Sequence, residues 1–462
     1  MNDAMLNRRA TSTLFPVLLA TVLTSGPAPA QAPSPQRADE RYARAIAAGY
    51  KAATLCGGVF NTGRSQAAVE ALELRGIYPE YDALVPTLTA TVDRSTARVT
   101  VPFAPDIPAR QATWQRGRGC TLAPIGAVTP PIATTYTRAP APASADPRQW
   151  PMGDAGISPA PSPALAGVVA RAFSDYGRGS QTVGVVVLRD GKVIAERYRD
   201  GFGPFVANRT WSVAKSISGT LVGMTGVDPR QPANIPEWRS GDPRRAIKLD
   251  DLLRMASGLH SDTAGNRTDA IYFGGTTVTE QAPSWPLEAK PGSRFRYANN
   301  DILLAVRSLR ASLGEAAYDR LPQQLFTTLG MTHTVAQRDW QGNYILSSDV
   351  WSTARDLARL GQFWLQDGVW AGKRVLPAGW LRYMTAPSGP QPERAEGYGA
   401  TMWLFGTKQS LPAGSYAAQG NRGQYVMVIP AEKLVVVRRG EDPAGSSFDI
   451  ARFTADVLAA QR

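Results

Sequence analysis

The sequence has few of the residues that most often bind metals or carry redox chemistry. Its 462 residues include only two cysteines, Cys56 and Cys120, and two histidines, His260 and His333. So few ligands exclude an HExxH site, a histidine cluster and a cysteine-based zinc site, and the CxxC spacing is absent. We therefore expect no metal and no cofactor. The two thiols leave two readings: a Cys56–Cys120 disulfide, which we favour for an exported chain, or two separate buried thiols.

Three common signatures of nucleotide and hydrolase sites are also missing. No GxxxxGK[ST] or GxGxxG segment occurs, so a glycine-rich loop that binds phosphate has no support. The absence of GxSxG argues against the strand–turn–helix nucleophile of α/β-hydrolases. A Ser-His-Asp triad would need His260 or His333, and neither histidine lies in a recognisable context.

Long apolar runs are confined to the N-terminus. Arg8 and Arg9 precede an apolar stretch from Leu14 to Leu23, and small residues around Ala30 offer a cleavage site. This pattern is typical of a secretory signal peptide, which we place at residues 1–32. The apolar stretch is too short to anchor the chain in a bilayer. We therefore expect a secreted or periplasmic mature protein without a membrane span.

Acidic residues are outnumbered, with 38 Asp and Glu against 50 Lys and Arg and a net charge of +12. The basic residues are scattered and form no run, which favours a cationic, soluble surface over a dedicated binding patch. A polyanionic partner is the alternative, whereas no nucleic acid is expected. The oligomeric state stays open.

The mature chain divides into three parts by composition. Residues 33–120 combine helical spacing at 38–55 with alternating apolar positions near 88–101, which predicts a small α+β region that contains both cysteines. Residues 121–165 are rich in proline and alanine, which predicts an extended connection, draped over the next domain. The third part, 166–462, begins with a hairpin around an Asp-Gly pair and ends with two strands and a helix at 448–458.

Helical stretches fill the middle of this third part, at 249–255, 300–313, 353–366 and 378–384. Strands at both ends with helices between them predict an α/β (α+β) fold. One antiparallel sheet would be assembled from both ends of the region, flanked by helices, with an inserted helical domain.

A serine and a lysine stand three residues apart at the start of a predicted helix. In Ser212-Val213-Ala214-Lys215 the two polar side chains share one helical face and can hydrogen-bond. A serine hydroxyl needs an adjacent base to become a nucleophile. A lysine serves as that base only when burial lowers its pKa, and the apolar neighbours on this helix fit such burial. Taken alone, an incidental pair on an exposed helix is an equal alternative.

A tyrosine and an asparagine form a second segment. Tyr297-Ala298-Asn299 lies in a loop punctuated by glycine and proline, just before an apolar helix. A tyrosine there can share a proton with the serine and lysine, and an asparagine can both donate to and accept from a substrate amide. Taken alone, Tyr297 would be an ordinary half-buried aromatic residue.

A glycine-containing segment precedes the penultimate strand. Gly420 and Asn421 lie in the stretch Gln419-Gly420-Asn421-Arg422-Gly423. Glycine at a strand edge lets a substrate approach the backbone closely, and a backbone amide here could form an oxyanion hole with that of Ser212. The alternative is a plain glycine-rich turn before a strand.

In this order, the three segments resemble the serine β-lactamase and penicillin-binding-protein superfamily. The stretches Ile247–Leu259 and Ser352–Ala358, together with Trp150–Asp154, resemble its class C-like branch of esterases, D,D-peptidases and 6-aminohexanoate-oligomer hydrolases. The resemblance covers residues 150 to 462 and leaves the cysteine-bearing region outside it. A β-lactamase-like fold is therefore expected.

The resemblance also implies a role for each residue. Ser212 would form an acyl-enzyme after Lys215 takes its proton, and Tyr297 would carry protons to the leaving group. Asn299 would orient the substrate, and the amides of Ser212 and Asn421 would hold the oxyanion. No cofactor is implied.

Two positions match the family pattern only in part. Tyr272 borders the pocket if it corresponds to a loop tyrosine of the aminohexanoate hydrolases, and is otherwise structural. Where the family often has Lys-Thr-Gly, this chain has Ala418-Gln419-Gly420, which removes a carboxylate anchor. Arg422 is one replacement to consider, because a guanidinium grips a carboxylate bidentately.

This departure favours a small or linear ester or amide as substrate. One alternative is D,D-peptidase or β-lactamase activity on peptidoglycan or β-lactams. Another is a non-catalytic sensor or wall-binding module.

Overall fold

The computed structural model describes residues 35–128, 145–261 and 268–461. The predicted signal peptide and positions 129–144 of the proline- and alanine-rich connection lie outside these residues. We call residues 35–128 the front region and residues 145–461 the main region.

The helices are α1 (Pro35–Cys56), α2 (Gln66–Leu72), α3 (Pro79–Asp82), α4 (Pro163–Arg171), α5 (Val213–Thr225), α6 (Leu249–Leu253), α7 (Asp269–Tyr272), α8 (Val278–Gln281), α9 (Asn299–Leu313), α10 (Glu315–Leu329), α11 (Ala354–Leu365), α12 (Trp380–Thr385) and α13 (Ile450–Ala459). The strands are β1 (Thr91–Asp93), β2 (Arg98–Val101), β3 (Arg110–Gln115), β4 (Gly119–Leu122), β5 (Thr182–Arg189), β6 (Lys192–Tyr198), β7 (Asn208–Arg209), β8 (Val335–Ala336), β9 (Val350–Ser352), β10 (Val369–Trp370), β11 (Lys373–Arg374), β12 (Gly397–Tyr398), β13 (Trp403–Phe405), β14 (Ser415–Gly420), β15 (Gln424–Ile429) and β16 (Leu434–Gly440).

The main sheet joins the two ends of the main region. Within the described residues its strand order is β12-β13-β14-β15-β16-β5-β6, so the first hairpin lies beside the last strand. The hairpin turns at Asp190 and Gly191, which both have positive φ, as a tight two-residue turn requires. All neighbouring strands are antiparallel. The predicted fold class is confirmed.

Helices cover both faces of this sheet. On one face α11 packs on β5, β15 and β16, with Gly361 against Val426 and Val435. On the other face α13 and the segment before it pack through Phe448, whose ring meets that of Tyr425. Val426 and Tyr425 are adjacent in β15 and therefore point to opposite faces.

Helix α5 lies against the sheet and carries the Ser-Lys segment at its start. Its residues from Val213 to Gly223 are buried on all sides, because it contacts β14, β15, α9 and α10. It ends at Gly226, whose left-handed conformation suits a helix C-terminus. A polar side chain on such a helix is held in an apolar environment.

In the front region, α1 packs across the β1–β4 meander. A disulfide joins Cys56 at the end of α1 to Cys120 in β4, as predicted. Cys120 also donates its backbone N–H to Gln337 of the main region. The hydrophobic core runs without a break from the front region into the main region.

The described part of the connection packs on the main region. The Arg359 guanidinium of α11 donates to the carbonyls of Pro151 and Gly153 and lies 3.0 Å from the Asp154 carboxylate. Both charged side chains are almost fully buried. Residues 151–154 are thus fixed by a buried ion pair.

Several elements differ from the sequence prediction. Helix α10 and strands β12 to β14 were not expected, and α13 begins at Ile450 rather than Phe448. Gly420 ends a strand of its own, β14, and residues 421–423 form the turn into β15. Among the described residues, no helix has the length and apolar character needed to cross a membrane.

Candidate active site

A cavity of about 580 Å³ opens where α5, the start of α9 and the β14–β15 turn come together. It brings together six of the seven predicted site residues: Ser212, Tyr272, Tyr297, Asn299, Gly420 and Asn421. The seventh, Lys215, lies behind Ser212 and is 1% exposed. The other lining residues are Tyr78, Pro79, Glu80, Trp211, Ser348, Arg394, Trp403 and Gln419.

The Lys215 amine has three oxygen neighbours. Its Nζ lies 2.9 Å from Ser212 Oγ, 2.6 Å from Asn299 Oδ1 and 2.7 Å from the Ser347 carbonyl oxygen. Burial lowers the pKa of Lys215 well below its usual value, because the charged ammonium loses its hydration. The acceptor oxygen of the Asn299 side chain is therefore engaged by the lysine.

Tyr297 is close to both Ser212 and Lys215. Its side chain hydrogen-bonds to Ser212, and its ring centroid is 5.1 Å from Lys215 Nζ. Burial raises the pKa of Tyr297 to about 12, so the phenol keeps its proton at neutral pH. The ring packs against Trp403 and Tyr398, which fixes its position.

The Ser212 backbone amide lies beside β14. A Cβ at Gly420 would lie 3.0 Å from Ser212 N and 2.4 Å from the Thr210 carbonyl. Only glycine leaves room there, and the resulting close approach sets the end of β14 against the start of α5. Trp211, directly before the serine, has a positive φ of 49°, a conformation that costs energy for a bulky residue and is concentrated at functional sites.

Tyr272 is buried and lines the cavity. Its hydroxyl lies 2.5 Å from Ser347 Oγ. The carbonyl oxygen of the same Ser347 accepts a hydrogen bond from Lys215. Burial raises the pKa of Tyr272. Ser347 could not be predicted from the sequence, because it contacts Lys215 through a backbone carbonyl that any residue type could provide.

Arg422 does not replace the missing carboxylate anchor. Its guanidinium is buried and points away from the cavity, into an ion pair with Glu441 at 2.9 Å. It also donates to the carbonyls of Leu72, Arg75 and Gly76 in the front region. Among the described residues, the cationic side chain in the cavity lining is Arg394, whose guanidinium lies 4.7 Å from the centre of the Trp403 ring.

Neither histidine is among the described residues that line the cavity. His260 pairs with Glu288 and stacks near Trp285, and the His333 ring packs against Phe205. A Ser-His-Asp arrangement at Ser212 is thus absent from the part of the chain that the structure describes. Across the same residues, no group of three His, Cys, Asp or Glu side chains is arranged to hold a metal.

Comparisons with known proteins agree with this geometry. The Beta-lactamase family matches residues 169–460. The 6-aminohexanoate-dimer hydrolase of Paenarthrobacter ureafaciens is 29% identical over 292 residues, which cover 56% of this chain and 72% of that enzyme.

Two solved structures resemble the main region. A Bacillus anthracis protein provisionally assigned as a 6-aminohexanoate-dimer hydrolase has a TM-score of 0.54 at 21% identity, over 63% of this chain and 80% of its own. A class C β-lactamase has a TM-score of 0.51 at 16% identity, over 65% of this chain and 96% of its own. At these identities the two structures show a shared fold.

The chain belongs to the Beta-lactamase family. It is a serine hydrolase of the β-lactamase type, of the amidase and esterase kind. The predicted resemblance is confirmed, and the non-catalytic sensor considered from the sequence is set aside.

Proposed function

We propose that this protein hydrolyses a small or linear ester or amide through an acyl-enzyme on Ser212, with Lys215 as the base. Tyr297 is the proton donor to the leaving group, and Asn299 orients the substrate. The amides of Ser212 and Asn421 bind the oxyanion.

The observation that supports this most strongly is the set of three oxygens around Lys215 Nζ. A neutral amine has two N–H groups and one lone pair. The Asn299 Oδ1 and Ser347 carbonyl oxygens can only accept, so they take the two N–H groups. Ser212 Oγ is the one neighbour that can donate, and it lies 2.9 Å away. The lone pair is thus aimed at the serine proton, which is the arrangement a general base needs.

Acylation involves three proton transfers among Ser212, Lys215, Tyr297 and the leaving group. Ser212 Oγ attacks the carbonyl carbon as its proton passes to Lys215, and negative charge builds on the carbonyl oxygen near the Ser212 amide. Tyr297 gives its proton to the departing amine or alcohol as the bond to the acyl carbon breaks. The Lys215 ammonium returns a proton to Tyr297, which leaves both groups neutral beside the acyl-serine.

Deacylation uses the same groups in reverse roles. Water attacks the acyl carbon and gives a proton to the Tyr297–Lys215 pair, and Ser212 Oγ leaves and takes a proton back. Because Lys215 is neutral at rest and Tyr297 is protonated, the site returns to its starting state after each turnover.

A variant at the nucleophile tests the proposal. Ser212→Ala should abolish hydrolysis of a p-nitrophenyl ester panel and remove labelling by a fluorophosphonate probe, measured by intact mass. Ser293→Ala, at an exposed serine in the loop before Tyr297, is the matched control and should keep both. Unchanged ester hydrolysis in Ser212→Ala would end the proposal.

β-Lactam and D,D-peptidase activity is the second candidate, because Arg394 offers a cation to a substrate carboxylate at the cavity. Nitrocefin and a D-Ala-D-Ala peptide should be turned over more slowly than simple esters if the absent Lys-Thr-Gly segment matters. Faster turnover of either would make that candidate the main activity.

Export of the protein is a further part of this proposal. The Cys56–Cys120 disulfide supports it, since such bonds persist in oxidising compartments. Mass spectrometry of the protein from whole cells should give an N-terminus near residue 33, and a full-length cytosolic chain would contradict export.

A further inference from the structure

The front region supplies part of the cavity wall. Tyr78, Pro79 and Glu80 line the same cavity as Ser212, although they precede the residues that the Beta-lactamase family matches. The Tyr78 ring packs edge-on against the Trp211 ring at 6.3 Å, and Trp211 is the residue directly before the nucleophile. We call residues 76–80 the front wall.

The front wall is held in place from several directions. Arg422 binds the carbonyls of Leu72, Arg75 and Gly76 and is itself buried. Ala444 donates its N–H to the Gly76 carbonyl at 2.7 Å. At the far end, the Tyr81 hydroxyl donates to Asp269 at 2.7 Å. Because both ends are tied to the main region, the wall is a fixed surface of the cavity.

Gly76 is required for this docking. It has a positive φ of 58°, and a Cβ there would lie 2.2 Å from Pro443 Cβ. A side chain at this position would push the front wall off the main region. The chain thus passes close enough to the main region for the next residues to reach the cavity.

Two groups of contacting side chains can be distinguished in the cavity lining. In the first group, Tyr297 and Arg394 both contact the Trp403 ring. In the second group, the Tyr78 ring packs against Trp211, and Pro79 and Glu80 follow Tyr78 in the lining. In the proposed mechanism Tyr297 gives its proton to the leaving group, which puts the leaving group beside the first group. That leaves the second group, with its tyrosine, tryptophan and proline surfaces, for the acyl group.

We propose that the front wall is the acyl-binding surface and that Tyr78 is a specificity-determining residue for an apolar acyl chain. This inference rests on the proposed acyl-enzyme function. Each methylene group buried against the wall should raise kcat/KM by about fourfold, from the usual transfer free energy of a methylene group.

The test compares p-nitrophenyl acetate, butanoate, hexanoate and octanoate, which share one leaving group. For the wild type, kcat/KM should rise with acyl length. Hexanoate has four more methylene groups than acetate, so the wild-type ratio of their kcat/KM values should approach about 250. In Tyr78→Ala this ratio should fall well below that value, because the hexanoate rate falls most and the acetate rate falls least. A second series of acetate esters with different alcohols should lose the same factor throughout, because the leaving group does not touch the wall.

The matched control is Tyr42→Ala, which removes a front-region tyrosine that is 52% exposed and lies outside the cavity lining. Its acyl-length profile should equal that of the wild type. Thermal unfolding checks that each variant is folded. Tyr78→Leu keeps an apolar side chain against Trp211 and replaces Tyr78→Ala if the latter does not fold.

The outcomes separate this inference from the proposed function. If the wild type is acylated but Tyr78→Ala and Tyr78→Leu keep its acyl-length profile, or lose the same factor for every ester, the inference is overturned and the function stands. If the wild type neither turns over esters nor takes up a fluorophosphonate, the function fails and the inference fails with it.

Discussion

The front region and the main region reach the same cavity with different kinds of side chain. The main region contributes the groups that we propose to move protons, above all the buried Lys215 and the partly buried Tyr297. The front region contributes Tyr78, Pro79 and Glu80, which line the cavity and take no part in the proposed proton transfers. In the proposed function the main region supplies the reactive groups, and the front region adds a wall to the same cavity. The family match, at residues 169–460, lies within the main region and does not include the front region.

Removing the base should have the largest effect. Lys215→Met keeps the length and apolar packing of the side chain but removes the amine. We expect kcat/KM for a p-nitrophenyl ester to fall by about 10³-fold or more, in the range for loss of general-base catalysis. Full activity in this variant would refute the assignment of the main region as the source of reactivity.

The pH profile of the wild type adds an independent check on Lys215. Burial lowers its pKa, so the neutral amine persists to lower pH than for an exposed lysine. Activity should therefore be present at neutral pH and be lost as the pH falls through that lowered pKa. The pKa of Tyr297, raised to about 12, places loss of the phenol proton far above the working range. A profile that rises only above pH 10 would contradict a buried neutral lysine.

Breaking the disulfide should weaken the front region and leave the reactivity in place. The double variant Cys56→Ala with Cys120→Ala opens a covalent link between positions 64 residues apart. We expect the free energy of unfolding to fall by about 2–4 kcal/mol, measured by denaturant titration. At 25 °C, folded protein should still react with a fluorophosphonate. An unchanged unfolding midpoint, with the wild type under reductant as the control, would show that packing alone holds the front region.

The smallest expected effect concerns a buried carboxyl beside the site. Asp301 in α9 is 2% exposed and hydrogen-bonds to Ser257, and burial raises its pKa to about 7. Unfolded, its pKa is about 4, so between these values the folded state binds a proton that the unfolded state lacks. Stability contributed by this group is therefore full below pH 4 and declines as the pH rises to 7.

Asp301→Asn removes this titration and keeps the size of the side chain. The Tm of the variant should fall less between pH 5 and pH 7 than that of the wild type. A slope equal to that of the wild type would mean that other buried carboxyls, such as Asp356, account for all of it.

Much of the main region could be predicted from the sequence, because its signals are local. The Asp190-Gly191 turn marks the β5–β6 hairpin, and the spacing of Ser212 and Lys215 puts both groups on one turn of α5. The order of the three motif segments then indicates the site. These features depend on residues that are neighbours in sequence or lie in strongly apolar strands.

What could not be predicted depends on contacts between distant residues. Strands β12 and β13 are two and three residues long and carry too little alternation to be recognised. Helix α10 contains Pro322, which breaks the usual helical signal. Arg422 looked like a substrate anchor, yet its guanidinium is taken up by Glu441 and by carbonyls some 350 positions earlier in the chain. No local sequence pattern predicts that Arg422 would bind residues so far away in the chain.

Arg422 links the β14–β15 turn to the front region. It occupies the turn directly after Asn421, and it grips the front region through the carbonyls that precede Tyr78. Removal of the front region would break these hydrogen bonds of Arg422 and so release the turn that carries the Asn421 amide. A protease cut or an engineered truncation in the front region would therefore also disturb the Asn421 amide, which we propose as an oxyanion donor.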